Sequence, residues 1–368
     1  MTTLIPTEDE GMLRDAARGV CDTAGVANLR VLRDAGKPYD NALWAEMVAM
    51  GWAGVLVSED EGGSDMGFAA ANVLAEEMGR RLIASPFLSS AVIAATALRR
   101  AGRSAAAIAD GSATYALALD EARKFAPEAT AMEARAAGNG FVLTGNKTFV
   151  AEGMSASRVL VLARTDSGLT LIDIDADRAG LTREALALVD SRDHAALTFA
   201  DVEATGDDVV GEVGGGLAAL APALRAGQAA LSAELLGLAA GAFEMTTGYL
   251  KERKQFGRVI GSFQALQLRA AHLFCEIEVT ASAIAHAGRM LDTDPDNADL
   301  AVSLAKARAT ETAGLAVREG VQMHGGIGMT DEYDMGFYMK RARVGAEWLG
   351  DYGYHAARVA ELRGKSAA

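Results

Sequence analysis

Several features that mark whole protein classes are scarce or missing in this sequence. It has two cysteines, Cys21 and Cys275, far apart and without neighbouring Cys or His, which argues against a disulfide or thiolate metal site and for reduced core thiols. The five histidines, His194, His272, His286, His324 and His355, show no ligand spacing, so no metal is inferred. No apolar run reaches the roughly 20 residues of a membrane helix, and "MTTLIPTEDEG" at the start lacks the basic and apolar regions of a signal peptide. The expectation is a cytoplasmic chain with no membrane span. Basic charge is in deficit, with 35 Lys and Arg against 49 Asp and Glu and a net charge of −14, so nucleic acid is not an expected partner. No G-x-G-x-x-G follows a strand pattern, and neither a P-loop nor a G-x-S-x-G elbow occurs, which removes most of the case for an NTPase or a hydrolase.

What is present points to a folded, multi-region chain. Hydrophobic residues make up 50% of 368, and that length exceeds what one core usually supports. Apolar positions recur every three or four residues in "DEGMLRDAARGVCDTAG" and "FAAANVLAEEMGRRL", predicting an all-α region over 1–112. Between these helices "MGWAGVLVSEDEGGSDMG" reads as a buried run ending in an acidic, glycine-rich turn. Over 113–212 the pattern becomes that of short strands: "GFVLTGNKTFV" reads as strand, Gly145-Asn146 turn, strand, followed by "SRVLVLART", "GLTLIDID" and "AALTFADVEA". From 213 to 368 helical periodicity returns, predicting a four-helix bundle. The fold class is therefore α+β, with an N-terminal all-α domain, a middle β-sheet or barrel domain and a C-terminal bundle.

Two segments stand out for chemistry. "ERKQFGRVIGSFQALQ" falls at a helix break and offers Arg253, a fixed fork of donors suited to a pyrophosphate, the aromatic face of Phe256 and the two-way hydrogen bonder Gln264. Taken alone, it also fits a charged helix end followed by a loop. "MHGGIGMT" places Gly325, Gly326 and Gly328 between two helical segments. A helix C-cap explains one glycine, whereas the adjacent Gly325-Gly326 pair leaves backbone bare for another group to approach.

These two stretches, about 55 residues apart, resemble the acyl-CoA dehydrogenase family. The likeness extends to "MGWAGVLVSEDEGGSDMGFAAANVLAEEMG", with Ser58 where the family has proline, and to "GFVLTGNKTFVAEGMSASRVLVLART". It implies an FAD enzyme that oxidises acyl-CoA thioesters to 2,3-enoyl-CoAs, a carboxylate taking the α-proton while hydride passes to the flavin. It also implies electron-transfer flavoprotein as the acceptor. By resemblance, Arg253, Phe256, Gln322, Gly325 and Gly326 reach across a subunit interface to a neighbour's FAD, with Gln255 and Gln264 in the same set; Gln255 stands where a small residue is usual.

The resemblance fails at the chemistry. Where the family carries its Glu-Gly-Thr base, this chain reads Leu349-Gly350-Asp351, and the alternative base position on the first bundle helix falls at or near Gly227. Substitute carboxylates are Glu347, Asp351 and Glu234, each expected to serve in surface or interface ion pairs rather than as a base. Asp120-Glu121-Ala122 replaces Thr-Glu-Pro, and Phe149-Val150-Ala151 replaces Trp-Ile-Thr, so residues for the chain's own flavin ring are altered while those for a neighbour's cofactor are kept. That asymmetry resembles the subunit without a base in heterotetrameric bacterial acyl-CoA dehydrogenases, which implies a second, dehydrogenase-like partner chain. The alternatives are a self-sufficient homo-oligomer with a relocated base, a related flavoprotein with different chemistry, and a purely structural assembly subunit.

Overall fold

The computed structural model describes residues 5–366. The helical N-terminal region holds α1 (Glu8–Ala35), broken at Gly25, then α2 (Asn41–Ala49), α3 (Gly67–Arg80), a π-helical stretch Phe87–Ala94 continuing into α4 (Ala95–Arg100), and α5 (Ala106–Ala109). Asp40 caps α2, its carboxylate accepting from the amides of Ala42 and Leu43. Trp52 to Val57 are buried ahead of the acidic turn Glu59–Glu61.

The middle region holds β1 (Tyr115–Ala118), β2 (Glu133–Ala137), β3 (Gly140–Ala151), β4 (Arg158–Thr165), β5 (Gly168–Asp175), β6 (Leu181–Ala185), β7 (His194–Thr205) and β8 (Val209–Val210). They form one sheet in the order β6-β7-β3-β2-β4-β5-β8, with β1 pairing parallel to β4. Inward-facing Val159, Val161, Ile172, Leu197, Phe199 and Val202 fill its core. The expected reversal at Gly145-Asn146 is corrected here. β3 runs straight through both residues, which face Phe199 and Thr198 on β7 with a register shift at Gly145. The chain reverses instead at the earlier pair Gly138-Asn139, between Ala137 and Gly140.

The C-terminal region holds three long helices, α6 (Gly216–Glu252), α7 (Gln264–Thr293) and α8 (Asp299–His324), and two shorter ones, α9 (Met335–Glu347) and α10 (Tyr352–Ser366). A two-residue hairpin, β9 (Lys254–Gln255) and β10 (Arg258–Val259), separates α6 from α7. Contrary to the expectation from apolar runs, α6 is long and apolar enough to cross a membrane, but 89% of its most apolar window is buried inside the protein. Cys275 also departs from expectation, lying exposed on α7, whereas Cys21 is buried.

Packing divides the chain into two compact units, one of residues up to 30, 68–83 and from 228 onward, the other of 31–67 and 84–227. In the first unit, α3 and α6 touch backbone to backbone. A Cβ on Gly79 would lie 2.0 Å from the Glu234 carbonyl oxygen, and one on Gly237 would lie 1.8 Å from that of Glu76. Any side chain at either position would force the helices apart. Beside this crossing, the buried carboxylate of Glu77 is ringed by Arg14, Arg18 and Arg80. These cations together hold its pKa below the usual value despite burial, which opposes them.

Candidate functional site

The end of α6 and the hairpin after it gather four of the predicted residues. The Arg253 amide donates to the Tyr249 carbonyl (2.9 Å), and its own carbonyl accepts from Ile260 (2.8 Å), which closes the hairpin. Gln255 pairs with Arg258, leaving Phe256-Gly257 as a two-residue turn with φ of +52° and +78°. Positive φ at both positions suits the twist of a tight hairpin, yet Phe256 is a costly residue there. Its ring is 90% exposed and contacts Phe263 edge-on at 6.1 Å, while the Arg258 guanidinium covers Phe263 at 4.1 Å. Gln264 opens α7 directly after, and the Gln255 amide folds back onto the Lys254 carbonyl (2.8 Å).

The second cluster lies where α8 ends. Gly325 has φ +66° and ψ −143°, a conformation essentially reserved for glycine, and its amide caps the helix on the carbonyls of Gln322 and Val321. Gly328 is packed, since an added Cβ would approach the His324 Cβ and the Val321 carbonyl at 3.0 Å. Gly326 has neither reason: its φ is not positive, and a Cβ there would meet nothing within 4 Å. Within this chain, nothing requires that residue to be glycine. Gln322, Gly325 and Gly326 are all exposed.

The two clusters meet through aromatic rings, because Tyr249, four residues before Arg253, stacks against His324 with ring centroids 4.5 Å apart. Among the described residues, the exposed Arg253 guanidinium forms no ion pair. The arrangement is therefore an outward-facing set: a cation, an aromatic ring, amide side chains and bare backbone, left uncompensated by the chain itself. A cavity of about 550 Å³ in the sheet-bearing unit, lined by residues such as Lys37, Met154, Leu186 and His194, contains none of them.

The three candidate carboxylates are all engaged. Glu234 receives both Nε and a terminal nitrogen of Arg341 (2.7 and 3.0 Å), and the pair is buried, not at a surface or interface as expected. Glu347 pairs with Arg343 one turn earlier (2.6 Å) on an exposed face. Asp351 accepts from the Tyr354 amide (2.8 Å) at the start of α10. Leu349 occupies the turn between α9 and α10 with φ +58° and is 3% exposed. Its carbonyl accepts from Gln228 Nε2 (3.1 Å) and lies 3.1 Å from His355 Nε2. Buried Lys306 holds the same turn through the carbonyls of Gly345 (3.0 Å) and Gly350 (3.1 Å).

In the sheet-bearing unit, buried Lys147 donates to Glu121 (2.7 Å) and to the Leu119 carbonyl (3.1 Å). Asp120 lies beside this pair with Oδ1 buried and unpartnered, and burial pushes its pKa up to about 6, with Lys147 opposing the rise. Phe149 has φ +53°, and Val150 and Ala151 are buried.

The fold is α-β-α, and the end of its bundle exposes an arginine, an aromatic ring, amide side chains and bare glycine backbone. The chain belongs to the acyl-CoA dehydrogenase family: residues 7–107 match the family's N-terminal domain and 214–362 its C-terminal domain. It is 31% identical over 352 residues to acyl-CoA dehydrogenase IpdE2 of Mycobacterium tuberculosis, covering 94% of each chain. Among solved structures, it resembles a variant of the Tcur3481-Tcur3483 steroid ACAD (TM-score 0.88, 31% identity, 98% of this chain and 99% of that one). It also resembles the ChsE4-ChsE5 complex of Mycobacterium tuberculosis (TM-score 0.89, 25% identity, 100% and 99%). The family is FAD-dependent. The donor set fits that cofactor, since an unpaired guanidinium and the open backbone at Gly326 suit a pyrophosphate-bearing adenosine.

Sequence reasoning missed the Tyr249 and His324 contact and the Glu234 and Arg341 pair. Their partners lie 75 and 107 residues apart, and no local pattern links them.

Proposed function

We propose that this chain is the FAD-completing subunit of a heteromeric acyl-CoA dehydrogenase, supplying its grip to a cofactor seated chiefly in a partner chain that bears the base. One contrast carries the reading. The set of Arg253, Gln255, Phe256, Gln264, Gln322, Gly325 and Gly326 faces outward, while the base position is Leu349, buried in a turn held by Gln228, Lys306 and His355. FAD supplies the hydride acceptor. This chain's part would be to hold the diphosphate with Arg253 and to leave open backbone for the adenosine at Gly325-Gly326.

Each substitute carboxylate already has a partner, which counts against a relocated base in a self-sufficient homo-oligomer. The unpaired Arg253 and the open Gly326 count against a purely structural subunit. Two of the similar structures pair two differently named chains, and one of them is a steroid ACAD; by extension, the substrate is a bulky acyl-CoA, while the family resemblance implies an electron-transfer flavoprotein as the acceptor. Within the chain we assign an N-terminal helical domain to 1–112, the β domain to 113–212 and the bundle to 213–368.

The test is expression alone and together with a dehydrogenase-like partner. Alone, the chain is colourless and inactive on acyl-CoA; with its partner the complex is yellow and bleaches when acyl-CoA is added. A yellow, active protein from this chain alone would overturn the proposal.

A further inference from the structure

Between the two halves of the grip sits a side chain that the proposed function leaves unused. His324 is the last residue of α8 and is buried. Its ring lies between two tyrosines, 4.5 Å from Tyr249 on α6 and 4.7 Å from Tyr333 in the segment leading to α9. Tyr249 holds the Arg253 amide on one side of this stack, and the capping amide of Gly325 follows directly on the other. The stack is thus a contact between the Arg253 end of α6 and the diglycine end of α8.

The ring's hydrogen bonding is lopsided. Nδ1 is 2.7 Å from the Gly320 carbonyl, which can only accept, so the proton sits on Nδ1. Nε2 is then a lone pair, buried and without a partner. The aromatic rings against the imidazole are those of Tyr249 and Tyr333. Glu252 and Asp334 act on Tyr333, and among the described residues no carboxylate contacts the imidazole. Burial holds the pKa of His324 below the ordinary histidine value, opposed by the Gly320 bond.

We propose that His324 is a positioning residue: as an uncharged ring it holds Arg253 and Gly325-Gly326 in register to grip a dinucleotide, and protonation of that ring loosens the grip. A second proton would place an N–H at Nε2, where the fold provides no acceptor, so the stack must shift to accommodate it. The inference rests on the cofactor-completing reading above, and its test separates the two.

The test uses the full-length chain with ADP, the adenosine diphosphate half of the cofactor, as the probe in equilibrium dialysis from pH 7.5 to 5. At pH 7.5, His324→Ala weakens ADP binding about tenfold, and His324→Phe, which keeps a neutral ring, stays within about threefold of wild type. As the pH falls, wild type loses at least about threefold more affinity than His324→Phe. The ADP phosphate titrates equally in both, so that difference isolates the imidazole. Equal affinity of His324→Ala and wild type, or parallel pH profiles for wild type and His324→Phe, would overturn the inference. If His324→Ala fails to fold, the profile comparison decides alone. Unchanged ADP binding by Arg253→Ala removes the cofactor-completing reading itself and this inference with it, and no ADP binding by the wild-type chain overturns this inference.

Discussion

The end of the C-terminal bundle and the flavin-related segments of the β domain carry opposite signatures. At the bundle, charged and polar groups are exposed, with Arg253 and Gly326 uncompensated by their own chain. In the β domain, half-buried Asp120 has one carboxylate oxygen buried without a hydrogen-bond partner, and Phe149, Val150 and Ala151 provide no side-chain donor at all. A folded protein leaves polar groups uncompensated where something outside will compensate them, or where selection no longer requires a partner. Under the proposed function, the first case describes the bundle and the second the β domain.

Five substitutions at four positions break or sharpen this comparison. The largest effect is expected for Glu234→Ala, which leaves Arg341 buried without its anion and costs about 3–5 kcal/mol of stability in thermal or urea unfolding. A relocated base would instead give a stable but inactive variant. Next, Arg253→Ala in the assembled complex weakens FAD binding by about 2–3 kcal/mol, read as flavin lost on gel filtration, while Ala substituted at Asp120 leaves flavin content unchanged. Third, Asp120→Asn stabilises the chain by roughly 1–2 kcal/mol at pH 8 and has little effect at pH 4. The folded carboxyl holds its proton up to about 6 against an ordinary 3.8, so its favourable contribution belongs to acid pH and is lost as pH rises through that interval. Smallest is Gly326→Ala, expected to change stability by less than about 0.5 kcal/mol because the added methyl meets open space, while weakening FAD binding severalfold.

His355 adds a pH signature to the turn at Leu349. Burial and neighbouring Lys306 bring its pKa from 6.5 to about 4. The neutral folded ring contributes stability that is complete above 6.5 and falls away as pH drops toward 4, and His355→Gln flattens the unfolding profile over that window.

The order of helical, strand and helical regions was legible because periodicities of 3.6 and 2 are local properties of the chain. So was the family likeness, carried by the pair of motifs near Arg253 and Gly325. The hairpin was misjudged because the dipeptide Gly-Asn occurs twice, at 138–139 and 145–146, and only the pairing of β3 with β7 decides which one reverses the chain. Cys275 looked like a core thiol because a lone cysteine does not announce which side of its helix it occupies. Glu234 and Arg341 find each other only after α6 and α9 pack, as do the reciprocal glycines Gly79 and Gly237. Tertiary partners of this kind leave no trace in a single sequence.

The most direct test of the central claim is the number of FAD molecules bound per four chains in the complex purified from co-expression with the partner. Shared sites, each completed by this chain across an interface, predict about two. Four per tetramer, or a tetramer of this chain alone holding FAD and oxidising acyl-CoA, would contradict it.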